Sequence, residues 1–244
     1  RHSHEEMLAS AAFLGMDEIG FSDHVCLIPV PWALTPDRID EMTESIEAIQ
    51  SANNTEVTIK FGVEMDYFPQ REKEIKELIA RLPVDYVIGS VHFVNGWNFD
   101  TDAKQFDAID VNQFYRDYFK HVQLSAQSGL FDIIAHCDLA KKFAYYPSFP
   151  LDELYDETAK IFKESDVAVE INTNGRNKPC NEFYPAPQFM ERLAYHKVPI
   201  TLGSDAHVEQ NISQYFLEAI GALKALGVTK IARFTKRQRE MVEV

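Results

Sequence analysis

Apolar positions along this chain alternate between two periods. Met7, Leu8, Ala11, Ala12 and Leu14 recur at roughly helical spacing. Ser3 stands before them as an N-cap, with Glu6 three positions later as the second half of a capping box, and Gly15 ends the segment. A short strand is expected over 18–22. Thr35 then caps a helix whose first position is Pro36 and which runs to about residue 52, leading into a strand over 57–63. The same alternation predicts a helix over 70–81 before a strand over 85–90. A long amphipathic helix over 111–128, apolar along Phe114, Tyr115, Tyr118, Phe119 and Val122, precedes a strand over 131–135. Three further pairs follow: helices over 151–164, 187–196 and 213–226 before strands over 167–171, 198–203 and 230–234.

Short, largely apolar strands between helices indicate a parallel sheet with helices packed outside it, as in a (β/α) barrel or a doubly wound sheet. No internal repeat, low-complexity tract or Gly/Ser linker marks a boundary, so one domain over 1–244 is expected. The two architectures differ in where their polar residues gather. A barrel collects chemistry at the C-terminal ends of many strands.

Composition narrows the choice of partners. Hydrophobic residues make up 45% and charged residues 25% of the chain, and the net charge is −14. A net anion of this size repels phosphate backbones, so no nucleic-acid partner is expected. Cys26, Cys137 and Cys180 form no CxxC pair and fit a reducing cytoplasm. No apolar run approaches the ~20 residues that cross a bilayer, and the first residues do not read as a signal peptide, so no membrane partner is expected.

Four of the eight histidines stand just past the end of an expected strand: His24, His92, His136 and His207. Carboxylates join them at Glu64, Glu170 and Asp205. Asp205 and His207, two apart in extended chain, can serve one site. Imidazole and carboxylate without thiolate suit Zn, Fe or Mn in a reactive centre. The set exceeds what one tetrahedral ion needs, which implies several ions, an arrangement suited to phosphoryl chemistry. His121 and His196 read as structural and His4 as solvated. Cys137 reads as packing, while Tyr67 and Trp97 fit either a pocket wall or packing.

The ordered stretches Gly20–His24, Gly62–Tyr67, Asp85–Phe93, Phe131–Leu139, Glu170–Gly175 and Gly203–His207 resemble the PHP (polymerase and histidinol phosphatase) superfamily, and within it the histidinol-phosphate phosphatases. The resemblance covers nearly the whole chain. It implies a distorted (β/α)7 TIM-like barrel with two or three divalent metal ions, Zn, Fe or Mn. Glu64 would bridge two of them, His92 and His136 would complete one site, and Asp205 would belong to another. His24 and His207 would hold a third with a histidine of the first loop, best matched by His2. The family opens on a strand ending in His-x-His; this sequence opens directly in its first helix and is read as lacking that strand. The implied activity is hydrolysis of a small phosphorylated substrate, L-histidinol phosphate, with Asp205, His207 and Glu64 as catalytic residues. Arg176, then Lys141 and Lys142, are the candidate grips for phosphate. The alternatives are a phosphoesterase of the same superfamily acting on nucleotides or another small phosphate ester, and a non-catalytic metal-binding relative.

Overall fold

The structure, a computed structural model, describes residues 3–244. In chain order it comprises α1 (His4–Phe13), β1 (Glu18–Val25), α2 (Ile39–Ala52), β2 (Thr58–Asp66), α3 (Glu72–Ile79) and β3 (Tyr86–Ser90). A small hairpin of β4 (Phe93–Val94) and β5 (Trp97–Asn98) precedes α4 (Val111–Gln127), β6 (Ile133–Ile134), α5 (Asp152–Glu164) and β7 (Ala168–Asn172). The chain closes with α6 (Pro187–Tyr195), β8 (Ile200–Gly203), α7 (Phe216–Ala225), β9 (Lys230–Thr235) and β10 (Gln238–Glu243).

Six of the strands pair in parallel in the order β1-β2-β3-β6-β7-β8. Spatial order follows chain order with no reversal. A doubly wound sheet has a switch point where the order turns back; this sheet winds in one direction, as a barrel does. It is a curled half-barrel with β1 and β8 at its two edges. Its strands are apolar on both faces, as in β7, buried throughout its length. Tyr86 lies across the inner face on Gly62 and Gly20. A Cβ added at Gly62 would meet its ring at 2.1 Å, so only glycine leaves room for it there.

The helices follow the sequence pattern closely. Ser3 and Glu6 form both halves of the capping box on α1. On α4 the buried stripe is Phe114, Tyr115, Tyr118, Phe119 and Val122, and Asp110 caps the helix by accepting from the amides of Asn112 and Gln113. Each such aromatic contributes roughly 1.5–3 kcal/mol by leaving water. Proline at 36 opens a 3-10 turn, Pro36–Arg38, and α2 proper starts after it.

Two strands run further than the apolar pattern suggests. β1 continues to Val25 and β2 to Asp66, because each extends the other's parallel ladder through the polar pair His24 and Glu64. The final expected strand, 230–234, does not join the parallel sheet. β9 pairs antiparallel with β10, and only Ala232 and Phe234 of it are buried. These two pack on Ile88, Ile133, Ala135 and Ala168 and close the N-terminal end of the sheet. The half-buried alternation of β9 suits a two-stranded cap with one wet face.

Candidate metal centre

Strand register brings the first two candidate ligands side by side. His24 of β1 lies opposite Glu64 of β2. His92 and His136 stand two residues past β3 and β6, and Asp205 and His207 follow β8. All six sit at the C-terminal ends of their strands, where a barrel assembles its chemistry.

Three imidazole nitrogens converge on one carboxylate oxygen. Glu64 Oε1 is 3.2 Å from His136 Nε2, 3.5 Å from His24 Nδ1 and 4.0 Å from His92 Nε2. Ligand atoms form two groups, each spanning no more than 4.8 Å: Glu64, His92 and His136 in one; His24, Asp205 and His207 in the other. The His24 ring bridges them, 5.8 Å from that of His92 and 5.9 Å from that of His207. Asp205 lies in the same group as His24 and His207. His2, the expected companion of His24 and His207, lies outside the described residues. The first group is buried; the second opens outward, with the His207 side chain 45% exposed.

The charges of the buried group are strongly coupled to one another. Burial alone pushes the Glu64 carboxyl up, but His24, His136 and His92 together hold it well below the usual carboxylate range. Burial pulls the His92 ring down, yet Asp66 beside it lifts it to about 9, and His136 is raised against its own burial by Glu64. The donor set fits a divalent ion: oxygen and imidazole nitrogen only, spaced near the about 3.4 Å that separates neighbouring ligands around a tetrahedral centre. His136 Nδ1 is also buried without a hydrogen-bond partner among the described residues.

The surrounding shell orients these groups. Asp66, two residues beyond Glu64 on the same strand face, accepts from the His92 backbone amide at 3.2 Å and lies 2.9 Å from its Nδ1. Asn174 Nδ2 donates to Asp205 Oδ2 at 3.2 Å. Glu170 is buried and pushed up to about 7 by that burial. Trp32, in the loop after β1, packs edge-on against His24 at 5.3 Å and His92 at 5.1 Å. Spacing alone could have flagged Asp66, paired with Glu64 at two residues' distance. No local signal marked Trp32, which reaches the centre because its loop folds back on the end of β1, where Leu34 bridges to Val25 and its amide donates to the His24 carbonyl.

The candidate phosphate grips fare differently. Lys141 is buried, and its Nζ lies within 3.0 Å of Asp138, Glu182 and the Phe183 carbonyl, behind the Tyr184 ring that faces His136. Arg176 is held by the Asn181 carbonyl and Glu218 and borders a separate cavity of about 340 Å³ against α6 and α7. Both are engaged by acceptors outside the two ligand groups: Lys141 by its own turn and by Glu182 and Phe183, Arg176 by its own loop and by α7. Lys142 pairs with Asp100 at 2.6 Å, a carboxylate close enough to act electrostatically on His92. His4 is bonded to Asp23 and Ser45 instead of being solvated. Tyr67 donates to Glu72 and borders a small cavity beside Phe68, Phe93 and His121, and Trp97 packs among Phe99, Phe106 and Phe114. Cys137 is fully buried in the core.

Comparison with known proteins gives concordant results. The family profile for the PHP domain matches residues 1–174. A probable histidinol-phosphatase of Deinococcus radiodurans is 32% identical over 97% of this chain and 91% of its own length. The histidinol-phosphatase of Lactococcus lactis is 25% identical over 91% of this chain and 84% of its own. A crystal structure of the Lactococcus lactis histidinol phosphate phosphatase with Zn, L-histidinol and phosphate superposes with a TM-score of 0.83. It covers 98% of this chain and 93% of that one at 21% identity, and establishes the shared fold.

Proposed function

This chain belongs to the PHP domain family, and from that premise we infer that it is a divalent-metal-dependent phosphatase hydrolysing L-histidinol phosphate to L-histidinol and phosphate. The observation that carries the reading is the convergence of three imidazoles on one oxygen of Glu64, beside a second, more open group of His24, Asp205 and His207. The names of its relatives supply the substrate.

Two or three divalent ions, Zn, Fe or Mn, would supply Lewis acidity to the phosphoryl oxygens and the attacking water. Glu64, His92 and His136 would hold the buried end of that centre, and His24, Asp205 and His207 the open end. Asp66 fixes the tautomer and direction of the His92 ring, as a carboxylate behind a ligating imidazole does. Asn174 fixes Asp205 in the same way. His207 and Asp205, 3.5 Å apart at the exposed rim, would hold the ion nearest the point where a substrate's phosphoryl group enters. Trp32 walls the mouth, keeps water from the His24 and His92 faces, and offers an aromatic surface to the substrate's ring. Of the three expected cations, Lys142 stands best placed to reach phosphate, since it would need only to exchange Asp100 for it.

The test is turnover of L-histidinol phosphate beside a nucleoside monophosphate by the metal-loaded protein. A clear preference for histidinol phosphate is expected. Equal turnover would reduce the reading to a general phosphoesterase, and metal uptake without release of phosphate would make the chain a binding relative.

A further inference from the structure

We propose that Glu170 is a positioning residue for His136, and that Gly203 is glycine in order to leave room for it. The inference rests on the metal-centre reading above.

His136 sits in a backbone conformation with φ +24°, which side-chain-bearing residues rarely adopt. Such a conformation persists only where the surroundings hold it. Here both peptide groups are held. The His136 carbonyl accepts from the Tyr118 hydroxyl at 3.2 Å and the Leu139 amide at 2.8 Å. Its amide donates to Glu170 Oε2 at 3.2 Å, an oxygen that also accepts from Asn172 Nδ2 at 3.2 Å. The turn points Nε2 at Glu64. The Glu170 carboxylate on β7 lies between its two neighbours: Oε2 meets His136, just past β6, on one side, and Oε1 lies against Gly203 of β8, opposite Asn172 in the register, on the other. A Cβ at position 203 would stand 1.8 Å from Glu170 Oε1 and 2.7 Å from its carboxyl carbon. Any side chain there evicts the carboxylate from its seat.

The pairing makes the two positions non-additive. Glu170→Ala removes the acceptor, and Gly203→Ala displaces it, so each alone exposes the His136 amide to exchange and weakens metal binding. The second change should then add nothing to the first. Glu170→Gln keeps an oxygen for the His136 amide and the Asn172 side chain, and should behave as the parent.

Two readouts separate this inference from the functional reading. The first is hydrogen exchange of the His136 amide in the metal-free protein, which needs neither metal nor substrate. The second is Zn affinity by competition with a chelator, where a loss of about 10-fold or more is expected for Glu170→Ala and Gly203→Ala, the scale of an outer-shell partner. Failure to hydrolyse histidinol phosphate would leave both readouts intact. Should Gly203→Ala not fold, Glu170→Gln against Glu170→Ala still decides. The proposal is overturned if His136 protection survives Glu170→Ala, if Glu170→Gln falls as far as Glu170→Ala, or if Gly203→Ala costs as much in the Glu170→Ala background as alone.

Discussion

The two ends of the same sheet use acids in opposite ways. At the N-terminal end Asp85 accepts from the amides of Phe61 and Lys236, and Asp132 accepts from the Val87 amide and a two-pronged Arg237. Each carboxylate there meets N–H groups at hydrogen-bond distance, and the result ties the β9–β10 cap to the strands. At the C-terminal end one oxygen of Glu64 faces three imidazoles, His136 at hydrogen-bond distance, 3.2 Å, and His24 and His92 further off at 3.5 and 4.0 Å. Imidazole can accept as well as donate, so such a cluster stays open to a cation in a way that a guanidinium pair cannot. One end is satisfied within the chain and stabilises it. The other is left for ions and is held open by its neighbours.

That contrast is sharpened most by striking the open end. Asp205→Asn should cost metal content and turnover together, by more than the about 100-fold reached by outer-shell changes; elemental analysis beside steady-state kinetics checks both. Full turnover with a normal metal count would remove Asp205 from the centre. Asp66→Asn should weaken metal binding about 10–100-fold while the fold survives, read by chelator competition and circular dichroism.

Striking the satisfied end should do the reverse. Asp132→Ala strands the Val87 amide and Arg237, and should cost about 1–3 kcal/mol of stability. Melting temperature should fall by about 2–4 °C per kcal/mol, with turnover per folded molecule unchanged. A loss of metal in this variant would erase the distinction between the ends.

The smallest effect is on pH. In the metal-free protein His92 stands at about 9, above its ordinary 6.5. Its contribution to stability is therefore fully present below pH 6.5 and is lost as the pH rises through about 9. Metal uptake runs the other way, because an ion takes the neutral ring: affinity should climb from pH 7 toward 9. Thermal melts with and without Zn across that range test both signs.

Much of the fold was legible in the residues. Apolar period distinguishes helix from strand, capping residues such as Ser3 mark helix starts, and histidines at equivalent strand ends point to one face of a barrel. Trp32 and Asn174 were not assigned to the centre, and Glu170, counted among its carboxylates, was given no role there, because these roles arise from contacts between segments far apart in the chain. The same holds for Lys141 and Arg176: both are cations in a plausible loop, and only the placement of Asp138, Glu182, Asn181 and Glu218 shows them already engaged. β9 carried a strand pattern, but its partner β10 is mostly polar and exposed, so nothing local marked the antiparallel cap.

Local patterning therefore decided which segments are helices or strands and which residue types could bind ions, since periodicity and donor chemistry are properties of neighbours in the chain. The parallel register decided that His24 stands beside Glu64, and the position of β7 between β6 and β8 decided that Glu170 meets the His136 amide on one side and Gly203 on the other. Those are matters of a few ångströms between distant segments, set when the sheet curls and its loops meet.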